Sequence, residues 1–212
     1  MFQARYAEVI LHIRNYAEKL PHSNCYAVNT ISAMQPRKHH LKNGHVLVIR
    51  EAAVEDARAV LDYVKGISGE SDFLSFGPGE FELTESEEEE FIRKCLASDN
   101  QLFILGSIDD TIVATLNFSG GRRPRVRHSG EFSMSVRKQY WGLGIGSFML
   151  DTLIDWARHT QIVKKINLRV RTDNQRAILL YERKGFAKEG TIRKEILLDG
   201  KYFDHHWMGL EL

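Results

Sequence analysis

Between Met134 and Leu150 the chain reads MSVRKQYWGLGIGSFML, and few folds accommodate that succession. The alternation that ends on Met134 and Val136 predicts a strand. A basic and aromatic shoulder follows, Arg137-Lys138-Gln139-Tyr140-Trp141, and then glycines stand at alternate positions, Gly142, Gly144 and Gly146. Phe148, Met149, Leu150, Leu153, Ile154, Trp156 and Ala157 next recur with helical spacing. Glycine lets the backbone take φ > 0 and approach a ligand with no Cβ in the way. The first turn of a helix carries N–H groups that lack intrahelical partners, at the positive end of the helix dipole. Strand, glycine turn and helix together therefore predict a cradle for a phosphate or pyrophosphate.

Three kinds of glycine loop compete for this stretch. A nucleotide-hydrolysing loop ends in Gly-Lys-Ser/Thr, and no such ending follows these glycines. A dinucleotide loop has the spacing G-x-G-x-x-G and opens its domain. Here the spacing is G-x-G-x-G, position 147 is Ser, and the turn comes after four predicted strands. Coenzyme A binding is the third reading. Composition bounds the choice from outside. The 212 residues suit one domain, or one domain with an extension. With 29 basic against 28 acidic residues the net charge is +1, which argues against the basic stripe of a nucleic-acid binder. Cys25 and Cys95 form neither a disulfide framework nor a metal-ligand spacing, so a reducing, cytoplasmic location and no metal are expected. No apolar run approaches the ~20 residues of a membrane span, so no membrane partner is expected.

Upstream, Phe2, Tyr6, Ile10, Ile13, Ala17 and Leu20 predict a short amphipathic helix over Gln3 to Leu20. Pro21 to Gly44 is polar and aperiodic and reads as linker. The expected organisation is an extension over 1–45 and a folded domain over 46–212, with a functional start near Met34. Val46–Arg50 is β-branched and apolar, a strand, and a helix carrying Val54, Ala57, Val60, Leu61 and Val64 follows. The segment SGESDFLSFGPGEFEL has no steady period and is expected as a long loop. Its Phe73, Phe76 and Phe81 either serve a site or fold back on the core. Thr84 and Glu87 fit a capping box opening a helix whose first turns are acidic. That acid run is either a solvated face or an attraction for a cationic ligand. Two strands follow, about Asp109-Asp110, then the basic loop GGRRPRVRH and the alternating strand Glu131–Val136, with Phe132, Met134 and Val136 facing the core. Beyond the glycine turn come the strand Lys165–Arg171, a helix from Gln175 to Lys184 stopped by Gly185, and two strands joined at Asp199-Gly200. This order predicts an α/β (α+β) fold: a mixed, mostly antiparallel sheet with helices on both faces.

Two segments carry a resemblance. VRKQYWGLGIGSFML resembles the Q/R-x-x-G-x-G/A signature of the GNAT superfamily of N-acetyltransferases, and LRVRTDNQRAILLYERKGFAKEG resembles its N-x-x-A-x-x-L-Y-x-x-x-G-F run. The resemblance covers roughly Val46 to Leu212. It departs at Trp141, where the family has Gln or Arg; there the tryptophan is expected to pack under the turn. The resemblance implies acetyl-CoA as co-substrate. Backbone at Met134, Ser135 and Val136 would pair with the pantetheine arm and polarise the thioester. Trp141, Gly142, Leu143, Gly144, Ile145, Gly146 and Ser147 would form the pyrophosphate turn, and Asn174 would contact the coenzyme. Tyr181 would protonate the leaving thiolate. An amine of pKa ~10 is mostly protonated at neutral pH and must lose a proton before it attacks. Glu131, on the strand entering the site, is the candidate base, or else a surface strand residue. His205-His206 in the last strand read as structural, or else lie near the acceptor pocket. The expected activity is acetyl transfer to a primary amine by direct attack. A small cationic amine is mildly favoured as acceptor by the acidic helix start and the aromatic loop, and a protein N-terminus is the alternative. A non-catalytic acyl-CoA-binding module is the reading from another class. Final strands of such folds often pair between subunits, so a homodimer is also an expectation.

Overall fold

The computed structural model describes residues 34–212. The helix expected over Gln3 to Leu20 lies outside them. One sheet of eight strands organises the rest: β1 (Arg37–His40), β2 (Val46–Glu51), β3 (Gln101–Ile108), β4 (Thr111–Gly120), β5 (Ser129–Val136), β6 (Lys165–Arg171), β7 (Ala187–Leu198) and β8 (Lys201–Glu211). Their spatial order is β1-β2-β3-β4-β5-β6-β8-β7. Every pairing is antiparallel except β5 with β6. Four α-helices are interleaved: α1 (Ala57–Ile67), α2 (Glu85–Leu96), α3 (Ile145–Thr160) and α4 (Gln175–Arg183).

The stretch read as linker does not stay out of the sheet. Arg37–His40 pairs with β2 from Arg37↔Ile49 to His40↔Val46, so the folded unit begins upstream of Val46. Polar residues suffice there because β1 is an edge strand. Arg37 reaches Asp155 at 2.7 Å, and His39 stacks on Phe148 with ring centroids 4.2 Å apart. Neither partner can be read from local periodicity.

The helices divide between the two faces. α1 and α2 bury Ala57, Val60, Tyr63, Phe91 and Ile92 against Phe103 and Leu105. α3 and α4 bury Met149, Leu150, Leu153 and Ile178 against Leu102, Ile104, Phe118, Phe132 and Leu168. Alternation along β3 thus sends odd-numbered side chains to one layer and even-numbered ones to the other. Each fully buried aliphatic side chain contributes roughly 1.5–3 kcal/mol. Local chemistry sets the element ends as expected. Thr84 accepts the Glu87 N–H at 3.3 Å and Glu87 accepts the Thr84 N–H at 3.0 Å, closing the capping box of α2. Asp199 and Gly200 both have positive φ, 47° and 76°, as a two-residue hairpin turn requires.

One irregularity prepares the site. β5 and β6 pair only over Ser129↔Lys165, Gly130↔Ile166 and Glu131↔Asn167, although both strands run on to Val136 and Arg171. Past Glu131 the strands part, and a wedge opens in the middle of the sheet.

Candidate functional site

A cavity of about 830 Å³ occupies that wedge. Phe132, Ser133, Met134, Ser135 and Val136 of β5 all line it, as do Leu168, Arg169, Val170 and Arg171 of β6. Consecutive residues of a strand point to opposite faces. A cavity touching all of them therefore passes through the sheet, from the α3/α4 layer to the α1/α2 layer.

On the α3/α4 side the glycine turn forms the wall. Gly142 and Gly144 hold φ at +88° and +86°, and Gly144 is the N-cap of α3. The Phe148 N–H is the first to bond back, to the Gly144 carbonyl at 3.2 Å. The N–H groups of Ile145, Gly146 and Ser147 are left to face out of the helix end. Gly146 has a packing reason as well: an added Cβ would stand 3.2 Å from Leu180 and 3.3 Å from Met134. Asn174 caps α4, its side-chain oxygen accepting the Ala177 N–H at 3.2 Å, and it also lines the cavity. Tyr181 is buried at 8% exposure between Phe132 and Phe186, with ring centroids 5.8 and 6.0 Å away. Burial pushes its hydroxyl up to about 12, so the O–H stays neutral and able to donate.

Of the residues expected to hold a coenzyme, Met134, Ser135, Val136, Trp141, Gly142, Gly144, Ile145, Gly146, Ser147 and Asn174 all line the cavity. Leu143 does not: its side chain packs on the core beneath the turn. Trp141 reverses the expectation that it would be the packing residue. It is 36% exposed, its indole N–H donates to the Val136 carbonyl at 2.7 Å, and the Arg176 guanidinium lies 5.2 Å above its ring. The ring thus clasps the end of β5 from outside. Arg176 and Arg183 also line the cavity and add positive charge on this side. Both stand on α4, far along the chain from the motif glycines, although the Arg176 guanidinium comes within 3.9 Å of where a Cβ on Gly142 would be.

The opposite side is polar and aromatic. Ser135 bonds Tyr63 at 3.0 Å and Thr115 at 3.1 Å. Phe73, Phe76 and Phe81 of the long loop line the cavity, and Phe76 also packs back on the core. None of Glu85 to Glu90 lines it. Glu90 instead bonds Arg93 and Lys94, both at 3.0 Å, whereas Glu88 is buried at 0% exposure, so the run combines a solvated face with one enclosed carboxylate. Arg171 clips the loop in place, donating to the Asp72 carbonyl at 2.7 Å between the rings of Phe73 and Phe203. It also holds the Asp173 carboxyl below the usual carboxylate range.

Glu131 lines the cavity bound to Arg169, with contacts of 3.1 and 3.2 Å to its two oxygens. Arg169 turns its remaining nitrogen to Glu195 at 2.7 Å. These side chains are 16%, 16% and 9% exposed. Removing the cation would leave two carboxylates facing each other in poor solvent, so Arg169→Met is expected to lower unfolding stability by about 3 kcal/mol. Chemical denaturation at pH 7 measures this, and Glu131→Gln with Glu195→Gln in the same background should restore most of the loss. His205 also lines this side, the second of the two places that the sequence offers it. Its only local cue is its place in β8; the register that sets it beside Arg171 is non-local.

The model of the acetyltransferase (GNAT) family matches residues 70–186, just over half the chain. Among curated proteins, the L-amino acid N-acetyltransferase AaaT of Escherichia coli is 31% identical over 105 residues, 50% of this chain. That match spans 65% of the relative's own length. Among solved structures, a GNAT-family acetyltransferase from Streptococcus pneumoniae superposes with a TM-score of 0.76 at 35% identity, covering 78% of this chain and 99% of that one. A phosphinothricin acetyltransferase from Sinorhizobium meliloti, solved with acetyl-CoA, shares the fold at a TM-score of 0.68 and 16% identity, over 78% and 88% of the two chains. With its wedge, glycine turn and α4 all inside the matched stretch, the chain belongs to the GNAT acetyltransferase family.

Proposed function

We propose that this protein transfers the acetyl group of acetyl-CoA to the primary amine of a small molecule, by direct attack with both substrates bound. The observation that carries the reading is the cavity's passage through the parted strands. It gives a coenzyme and an acceptor separate entrances that meet beside Met134 to Val136. On the α3/α4 side, the N–H groups of Ile145, Gly146 and Ser147 would hold the pyrophosphate, with Asn174 alongside and Arg176 and Arg183 balancing its charge. Fixed backbone donors on β5 past Glu131, which β6 no longer pairs, would stabilise charge developing on the thioester oxygen. Tyr181 would donate its O–H to the departing sulfur. On the α1/α2 side, the phenylalanines and the Ser133–Ser135 row would receive the acceptor. Glu131, tied to Arg169, would serve as part of the acceptor wall.

The acetyltransferase unit would run from β1 to Leu212, with residues upstream as an extension. The protein would work in a reducing cytoplasm, where the buried Cys95 thiol has no need to pair. The edge strand β7, whose hairpin with β8 exposes Leu197 and Tyr202, would pair two copies. No described helix is long and apolar enough to cross a membrane. A thiol-release assay with acetyl-CoA and a panel of benzylamine, L-phenylalanine, spermidine and an N-terminal peptide tests the activity. Release with a small amine is expected. Release with the peptide alone would move the acceptor to a protein N-terminus. Calorimetric acetyl-CoA binding without release in any arm would leave a non-catalytic acyl-CoA module.

A further inference from the structure

The acceptor face presents several ionisable side chains, and most are already engaged. Glu131 and Glu195 are held by Arg169, and Asp173 by Arg171. Each of these carboxylates already faces a guanidinium. His205 differs. Its ring lines the cavity, and its Nδ1 is buried with no hydrogen-bond partner among the described residues. The strand register sets it opposite Arg171 on β6 and Ile192 on β7, at the end of β6 that has left β5. Its neighbour His206 takes the other face of β8 and bonds Thr191 at 3.1 Å, as a structural histidine should.

We infer that His205 accepts the proton that the acceptor's ammonium group must lose before it attacks the thioester. This rests on the acetyl-transfer reading. Protein encloses Nδ1, so the ring meets the cavity by its other edge, and the ammonium N–H would donate to Nε2 there. The charged groups around the ring are Arg169 and Arg171 on β6, Asp173 just beyond it, and Glu195 on β7. Burial first of all lowers the ring's pKa below its ordinary value, with Glu195 and Asp173 acting to raise it and Arg169 and Arg171 to lower it. The imidazole is therefore neutral at neutral pH, with a lone pair to offer. The proton passes from nitrogen to His205 and on to solvent. The freed amine lone pair forms the C–N bond to the carbonyl carbon. The carbonyl π pair moves to oxygen and returns as the C–S bond breaks. The sulfur takes a proton from Tyr181, which the second proton of the attacking nitrogen replaces. Ammonium and thioester become amide, thiol and one released proton.

The test compares wild type, His205→Gln and His206→Gln in thiol release from pH 6 to 10, using whichever of benzylamine, L-phenylalanine or spermidine reacts fastest. His205→Gln is expected to lower kcat about 100-fold near neutral pH. The KM for acetyl-CoA should stay within about threefold, because the ring is remote from the phosphate turn. The deficit should shrink to tenfold or less as the pH nears the acceptor's own pKa of ~10, where solvent has already removed the proton. His206→Gln should behave as wild type. A deficit constant across pH, or none, overturns the proposal while leaving the acetyl-transfer reading intact. Absence of wild-type release with all three amines defeats both. Should His205→Gln fail to fold, the histidine ring resonances of wild-type protein titrated with benzylamine decide: an unmoved His205 signal overturns the assignment.

Discussion

Tyr181→Phe will lower kcat by about 100- to 1,000-fold, within the range that a positioned proton donor contributes. The KM for acetyl-CoA should change less than about threefold, since the phenyl ring keeps its contacts with Phe132 and Phe186. The two numbers must part in this way if the hydroxyl acts only as sulfur leaves. A free thiol has pKa ~8.5, whereas burial holds this phenol at about 12. Complete transfer from tyrosine to thiolate is therefore uphill by itself. It becomes favourable when the tyrosine is resupplied by the nitrogen that has just formed the amide bond. The hydroxyl is then a relay, neutral before and after, and the loss in Tyr181→Phe should be flat between pH 6 and 9. Steady-state kinetics over that range checks it. A variant with wild-type kcat would remove Tyr181 from the chemistry.

The second large effect is expected at Gly144. Gly144→Val should weaken acetyl-CoA binding at least 100-fold by calorimetry, with Gly144→Ala as its companion. Two effects are superposed and can be separated. At φ +86° any side chain is strained, which costs on the order of 1–3 kcal/mol. Both variants carry that cost and should melt several degrees lower. The protein itself leaves room for a Cβ, its nearest contact being Phe148 at 3.6 Å. The further loss in valine is therefore steric exclusion of the ligand from the helix end. Equal affinity in the two variants would mean that backbone strain, and not access to the N–H groups, is what Gly144 controls.

Much of this protein is legible along the chain. Thr84 and Glu87 announce the start of α2, Gly185 the end of α4, and Asp199-Gly200 the last hairpin, because each signal acts within four residues of itself. Gly142 to Ser147 announce an anion site for the same reason: φ > 0 and unbonded N–H groups are properties of one turn. Asn174 and Tyr181 were reachable because one short helix carries both.

The parts of the site that depend on who stands opposite whom were not legible. β1 reads as linker because it is polar and aperiodic, and the side chains that hold it against the fold, Asp155 and Phe148, lie more than a hundred residues away. Trp141 was expected beneath the turn, and only the folded chain brings the Val136 carbonyl and Arg176 to hold it outside. The acidic start of α2 was a plausible lure for a cation until the sheet placed it away from the cavity. Glu131 looked like a solitary carboxylate until β6 supplied Arg169 and β7 supplied Glu195. Local sequence determined the turns, caps and strand faces of this protein, because those energies are settled between near neighbours. The tertiary structure alone decided where β5 and β6 part and which side chains face the gap, because strand register and charge pairing are settled between residues that meet only once the chain has closed.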